Sequence, residues 1–175
     1  MKTLFICLMT LMLATPVLAE APVRVGVVSA LQGSASARLG NAAARPLAVR
    51  QPLYRNDVIT TGAGSRCVLL FTDMTTFCLG ANSTLRVEQY IAGHAAQFEM
   101  QRGSFRMMSG EIARTNPTQF NMTTPTASIG IRGTTTGHEI SEQGERHYVL
   151  DMAPGHQVII GGLNTDNRLV IDADL

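Results

Sequence analysis

Short runs in which apolar and polar residues alternate cover most of this chain. Val23, Val25 and Val27 alternate with Arg24 and Gly26, and Phe98 and Met100 with Glu99 and Gln101. Side chains of an extended chain point to opposite faces in turn, so each such run predicts a strand. From Arg66 to Thr72 both faces are apolar, with Cys67, Leu69 and Phe71 on one and Val68 and Leu70 on the other. That pattern predicts a central strand. Thr75 to Leu79 returns from it around Asp73-Met74, the expected hairpin turn. Further runs centre on Leu85 and Val87, Phe105 and Met107, and Phe120 and Met122. Arg146 to Asp151, His156 to Ile160 and Arg168 to Ile171 follow, separated by Pro154-Gly155 and Asp166-Asn167. The nearest approach to a helical stripe, Ala42 to Val49, is interrupted by Pro46. The expected class is all-β, in one domain over residues 20–175.

One stretch carries more than alternation. From Thr124 to Ile140, Ala127, Ile129 and Ile131 share one face, and Ser128, Gly130 and Arg132 the other. Pro125 holds Thr124 extended and marks the strand's start. Gly133 predicts a bulge or bend. Arg132, with glycines at 130 and 133, has two readings. Its guanidinium holds neighbouring loop carbonyls, or it receives a carboxylate from a ligand or partner. Tight glycine flanks favour the structural one.

Thr124, Pro125 and Ala127 followed by Arg132, Gly133 and Thr134 resemble the signature near the end of the FecR-type domain, a bacterial envelope module. Leu53 to Thr61, Gly62 to Leu79 and Phe98 to Gly110 resemble further motifs of that family in the same order, so the likeness spans about residues 25–142. Two positions depart from it: Met74 stands where the family prefers glycine, and Thr136 where an apolar residue is usual. The resemblance implies a compact β-roll or solenoid-like stack, with a two-sheet sandwich as the alternative. It also implies a domain outside the inner membrane that senses a protein partner, without catalysis or cofactor.

Residues 1–19 read as a cleavable signal peptide: Lys2, an apolar run from Leu4 to Leu13, and Val17-Leu18-Ala19 before Glu20. Periplasmic export is therefore expected, with secretion second. No later stretch is long and apolar enough to cross a membrane as a helix. Lys2 is the sole lysine, leaving 13 arginines against 13 acidic residues in the expected mature chain. Scattered arginines without a basic run argue against nucleic acid and against a charged membrane surface.

The expected mature chain keeps Cys67 and Cys78. An even count in an exported protein argues for a disulfide. A two-residue turn would make the cysteines diagonal neighbours on one face, and a wider or bulged turn would oppose them directly. Two buried free thiols are the competing reading.

Candidate chemistry beyond this is thin. Gly-x-Ser-x-Gly is absent, and His138-Glu139 lacks a second histidine at helical spacing, so no enzyme is expected. His94, His138, His147 and His156 are not spaced as metal ligands. His138 and His147 are near-symmetric about Gln143-Gly144 and could meet across a hairpin, but two solvated histidines are the expected outcome. Met100, Met107 and Met122 fall on apolar faces and read as core. The function expected is a binding module that meets an envelope protein. A glycan- or wall-associated role is the alternative, and it would need an exposed aromatic platform from Tyr54, Tyr90 or Tyr148.

Overall fold

The computed structural model describes residues 21–163 and 167–173. Its strands are β1 (Arg24–Gln32), β2 (Ala35–Leu39), β3 (Arg45–Pro46), β4 (Pro52–Tyr54), β5 (Asp57–Thr61), β6 (Arg66–Phe71) and β7 (Thr76–Leu79). They continue with β8 (Thr84–Ile91), β9 (Ala95–Met108), β10 (Phe120–Thr123), β11 (Ala127–Ser141), β12 (Gly144–Gly162) and β13 (Arg168–Asp172). A short helix, α1 (Glu111–Thr115), interrupts them. All strands join one mixed, unclosed sheet in the order β13-β12-β11-β10-β9-β7-β6-β1-β4, with β3-β2-β5-β8 branching from β9. The expected all-β class is what the chain adopts. The signal peptide expected at residues 1–19 lies outside the described residues.

The branch at β9 shows how one sheet makes an enclosed core. Its first part, 95–102, pairs with β8 and β10, and its second part, 103–108, pairs with β7 and β11. Gly103 lies at the change of partners with φ +106°, and a Cβ there would sit 2.4 Å from the Ser83 Cα. Only glycine fits both demands. β11 does the same at Gly133, φ +68°, pairing through 127–132 with one set of neighbours and through 134–141 with another. The sheet thus folds over, and its halves meet through aromatic rings. Phe98 of β9 lies 4.9 Å from both Phe71 and Phe77, and Tyr90 of β8 stacks on Phe71 at 5.7 Å. Leu69, Leu85, Met100, Met107, Met122 and Ile129 complete a core sealed from solvent. Each such side chain contributes about 1.5–3 kcal/mol by leaving water. The three methionines read as core residues are indeed there.

Two buried acids organise turns. Asp57 accepts from the Tyr54 amide at 2.8 Å and takes both arms of the Arg45 guanidinium, at 2.8 and 2.5 Å. Its hydrogen bonds hold Arg45 more firmly charged than an ordinary arginine. Asp73 accepts from the Thr75 amide and hydroxyl, at 3.1 and 2.8 Å, and from the Tyr90 hydroxyl at 2.9 Å. Burial pushes the Tyr90 phenol up to about 12. Thr61 adds a third lock, donating to the Gly80 carbonyl and accepting from the Ser83 amide. The family-like residues Asp57, Ile59 and Thr61 are therefore all buried, where they close turns and fill the core.

The hairpin at Asp73 and Met74 corrects one expectation. Its loop holds one residue more than a two-residue turn, since Leu70 opposes Thr76 and Met74 takes φ +68°. Cys67 therefore opposes Leu79, and Cys78 opposes Val68. A shift of one residue moves a side chain to the other face. Cys67 points into the core and Cys78 out of it, so both thiols are free and the expected bridge is not formed. Burial, with a smaller contribution from nearby Cys78, pushes the Cys67 thiol up to about 11. The two strands expected at 146–151 and 156–160 are a single strand, β12. There residues 153–156 bow out opposite Gly133 before pairing resumes.

Candidate functional site

The β11–β12 hairpin has an inner side and an outer side, and they differ in kind. Inside, Glu145 Oε2 accepts from the Thr124 hydroxyl at 2.5 Å, and Oε1 from the Thr126 amide at 3.2 Å. The same carboxylate lies 3.4 Å from His147 Nε2. His147 Nδ1 meets His138 Nδ1 at 3.0 Å, and His138 Nε2 meets the Thr136 hydroxyl at 2.8 Å. The ladder dictates this meeting, because His138 directly opposes His147. The expectation of two solvated histidines is thus corrected: Thr136 and His138 are 1% and 2% exposed. The β11 bend at Gly133 restarts the alternation, which turns His138 inward. Burial and the neighbouring ring drive the His138 pKa down to about 3. Burial lowers that of His147 too, against the opposing pull of Glu145. The series resembles a proton relay and ends on a buried hydroxyl. Thr136, where the resemblance led to the expectation of an apolar residue, uses its hydroxyl to partner His138.

Outside, the ladder sets Val68, Cys78, Arg106, Gly137 and Tyr148 in one row across five strands. The middle of this face is built from small residues, Cys78, Gly80, Ser104 and Gly137. Arg66, Arg106, Tyr148 and Leu150 rise around it. The result is a hollow of about 400 Å³. Tyr148 and Leu150 are 42% and 52% exposed. Leu150 is the extra residue of a bulge, between Val149 opposite Thr136 and Asp151 opposite Thr135, which aims it over Gly137. Arg66 and Arg106 form no ion pair among the described residues. Glu139, the acid at the rim, is occupied by Arg146 at 3.8 Å and the Tyr148 hydroxyl at 3.3 Å. Beyond this hairpin, residues 144–156 of β12 have no further strand beside them among the described residues.

The signature residues serve the fold at two separate places along β11. Thr124 is buried and exchanges bonds with the Ala127 amide and carbonyl, closing the turn around Pro125. Gly133 bends β11, and the His156 ring packs against it. Thr134 is buried, and its amide donates to the Ser109 hydroxyl at 2.9 Å. Arg132 is the exception. Its side chain is exposed and bonds no loop carbonyl among the described residues, contrary to its structural reading. It lies on the outward alternation with Ser128 and Gly130, so the interior loops are out of reach. Instead it lines a hollow with Gln157 and Arg168. Among the described residues no group of three or more His, Cys, Asp or Glu is arranged to hold a metal ion. Arg66, Arg106, Gly137 and Leu150 were not singled out by the motifs. The detectable signal was small residues at outward positions of three neighbouring strands, which appears only once the register is known.

These features define an all-β module with a sealed polar network behind the hairpin and a hollowed outer face. The model of the family described as FecR protein matches residues 57–151, more than half the chain, and the chain belongs to that family. No curated protein matches it. It is similar to a crystal structure from Parabacteroides distasonis provisionally described as an anti-sigma factor, at 16% identity and a TM-score of 0.46. That likeness covers 66% of this chain, which spans 59% of the other.

Proposed function

We propose that this FecR-family domain is a non-enzymatic binding module in cell-envelope signalling, exported to the periplasm, where it meets a protein partner. The observation that carries this reading is the outer hollow. Exposed Tyr148 and Leu150 stand beside two arginines without acidic partners, on a face that folding does not use. Aromatic residues and arginine are the side chains that most often dominate protein interfaces. The FecR family and the leader-like residues 1–19 support a signalling setting and export. The glycan-binding reading is weaker, since Tyr90 is buried within the Asp73 network and Tyr54 packs under Arg45. That leaves Tyr148 without an aromatic companion on its face.

A photo-crosslinking residue placed at position 150 in cells tests the proposal, with one at exposed Arg38 on β2 as control. A single adduct of defined mass is expected from position 150 alone. Adducts of equal yield from both positions, or none from position 150, would overturn it.

A further inference from the structure

At β13 the sheet ends in a free edge among the described residues. Two other edges are blunted: β4 opens on Pro52, and residues 144–152 of β12 are broken by the Leu150 bulge. β13 carries neither device, and its five residues pair with β12 in unbroken register. Two apolar rows run out to it on the inner face, Ile129-Ile160-Leu169 and Ile131-Val158-Ile171. Leu169 is 57% exposed, so the first row ends in water and not against the core. On the outer face stand Arg168, exposed Val170 and Asp172. Neither charge forms an ion pair among the described residues, and the Gln157 amide holds the Asp172 carboxylate at 2.9 Å. Gly162 donates to the Asn167 carbonyl at 3.2 Å, which fixes the phase of the ladder. Bonding residues alternate along an antiparallel pair, so Leu169 and Ile171 bond to β12, while Arg168, Val170 and Asp172 turn their amides and carbonyls to the free edge.

We infer that β13 docks a second copy of this chain, antiparallel and edge to edge, with the two-fold axis at Val170. The strand Arg168-Leu169-Val170-Ile171-Asp172 is complementary to its own reverse. In that register Val170 faces its counterpart, Arg168 faces Asp172 of the second copy at both ends, and Leu169 faces Ile171. Opposed residues point to the same face of a sheet. The charges therefore pair on the outer side, and the apolar rows continue across the joint on the inner side. Centring the pair on Arg168 or on Asp172 would instead oppose like charges. A two-fold contact needs one patch that complements itself, and β13 meets that demand in backbone, charge and apolar surface alike.

β13 contributes nothing to the outer hollow, so this contact and the partner contact are tested separately. The test is sedimentation velocity of the purified chain over a wide range of concentration. The wild type is expected to pass from monomer to dimer as concentration rises, since a five-residue edge is small beside the interfaces of permanent dimers. Arg168→Asp and Asp172→Arg each set like charges opposite one another at both ends, and each should weaken association at least about tenfold. Mixed in equal amounts, the two variants restore both opposite-charge pairs, and the mixture should dimerise as the wild type does. Val170→Pro gives a second check. It removes an edge amide that the fold does not use, so the chain should stay folded and monomeric. A wild type that remains monomeric throughout would overturn the edge dimer. So would single variants that associate as the wild type does, or a mixture that associates no better than its components.

Discussion

The acid-closed turns and the β11–β12 hairpin use polar residues in opposite ways. At the turns, Asp57 and Asp73 are 0% and 6% exposed, and their carboxylates are filled by backbone amides, a guanidinium, a threonine and a tyrosine. On the outer face beside the hairpin, Arg66 of β6 and Arg106 of β9 line one hollow with Tyr148 and form no ion pair among the described residues. A buried polar group must be paired or it costs stability, whereas an exposed one is satisfied by water until a partner arrives. The family-like residues Asp57 and Asp73 therefore explain folding at the turns, and Thr124 and Thr134 do the same at and within β11. The residues on which the proposed partner contact rests lie on the outer face.

The comparison breaks most visibly at Asp57. Asp57→Ala would leave the Arg45 guanidinium and the Tyr54 amide without their acceptor. Arg45 is 30% exposed in its side chain, so water recovers part of the loss. A destabilisation of about 3 kcal/mol is expected, measured by urea unfolding. An equal loss from Leu150→Ala, which removes an exposed side chain, would abolish the distinction between the regions. Exposed substitutions usually stay within about 0.5 kcal/mol.

The inner side of the hairpin belongs with the turns, and pH can show it. His138 is neutral in the folded chain down to a pKa of about 3, while an unfolded histidine protonates near 6.5. Between those values the unfolded state binds the extra proton, so stability is complete above about pH 6.5 and declines as pH falls toward 3. The slope is at most about 1.4 kcal/mol per pH unit. The groups facing His138 are His147, with its pKa also lowered by burial, the Thr136 hydroxyl and, through His147, Glu145. If both rings were protonated, each Nδ1 would carry a hydrogen and the 3.0 Å contact would become a repulsion. His138→Gln cannot titrate. Its unfolding free energy should therefore fall less than the wild type's between pH 7 and pH 5. Parallel curves would mean that His138 is solvated and that the inner side resembles the outer.

Much of the fold could be read from period-two alternation, because a half-buried strand writes its burial directly into the sequence. The inward sets at 67–71 and 127–131 were visible in that way, while the bend at Gly133 was signalled by an isolated glycine within a strand. Register was not, since it depends on one loop residue. The hairpin at Asp73 shifted by one position and moved Cys78 to the opposite face from Cys67. The same blindness hid the outer hollow, whose members come from β6, β7, β9, β11 and β12 and meet only through pairing. The short helix α1 was missed because five residues are too few to set up a helical stripe. Arg132 misled because glycines on both sides suggested enclosure, when the face it occupies is decided by parity with Ser128 and Gly130.

Met74 allows the smallest and sharpest test. It stands where the family prefers glycine, and it takes φ +68° at the end of the turn while 65% exposed. A left-handed conformation costs an L-residue about 1–2 kcal/mol, and glycine avoids that cost but loses more chain entropy on folding. The Asp73 bonds that fix the turn do not involve the Met74 side chain. Met74→Gly should therefore stabilise the chain, by about 0.5–1 kcal/mol once the entropy is subtracted. The readout is a rise in the urea midpoint with an unchanged slope. Destabilisation instead would mean that the exposed thioether is held by packing, and that this turn is not governed by backbone strain and the Asp73 network alone.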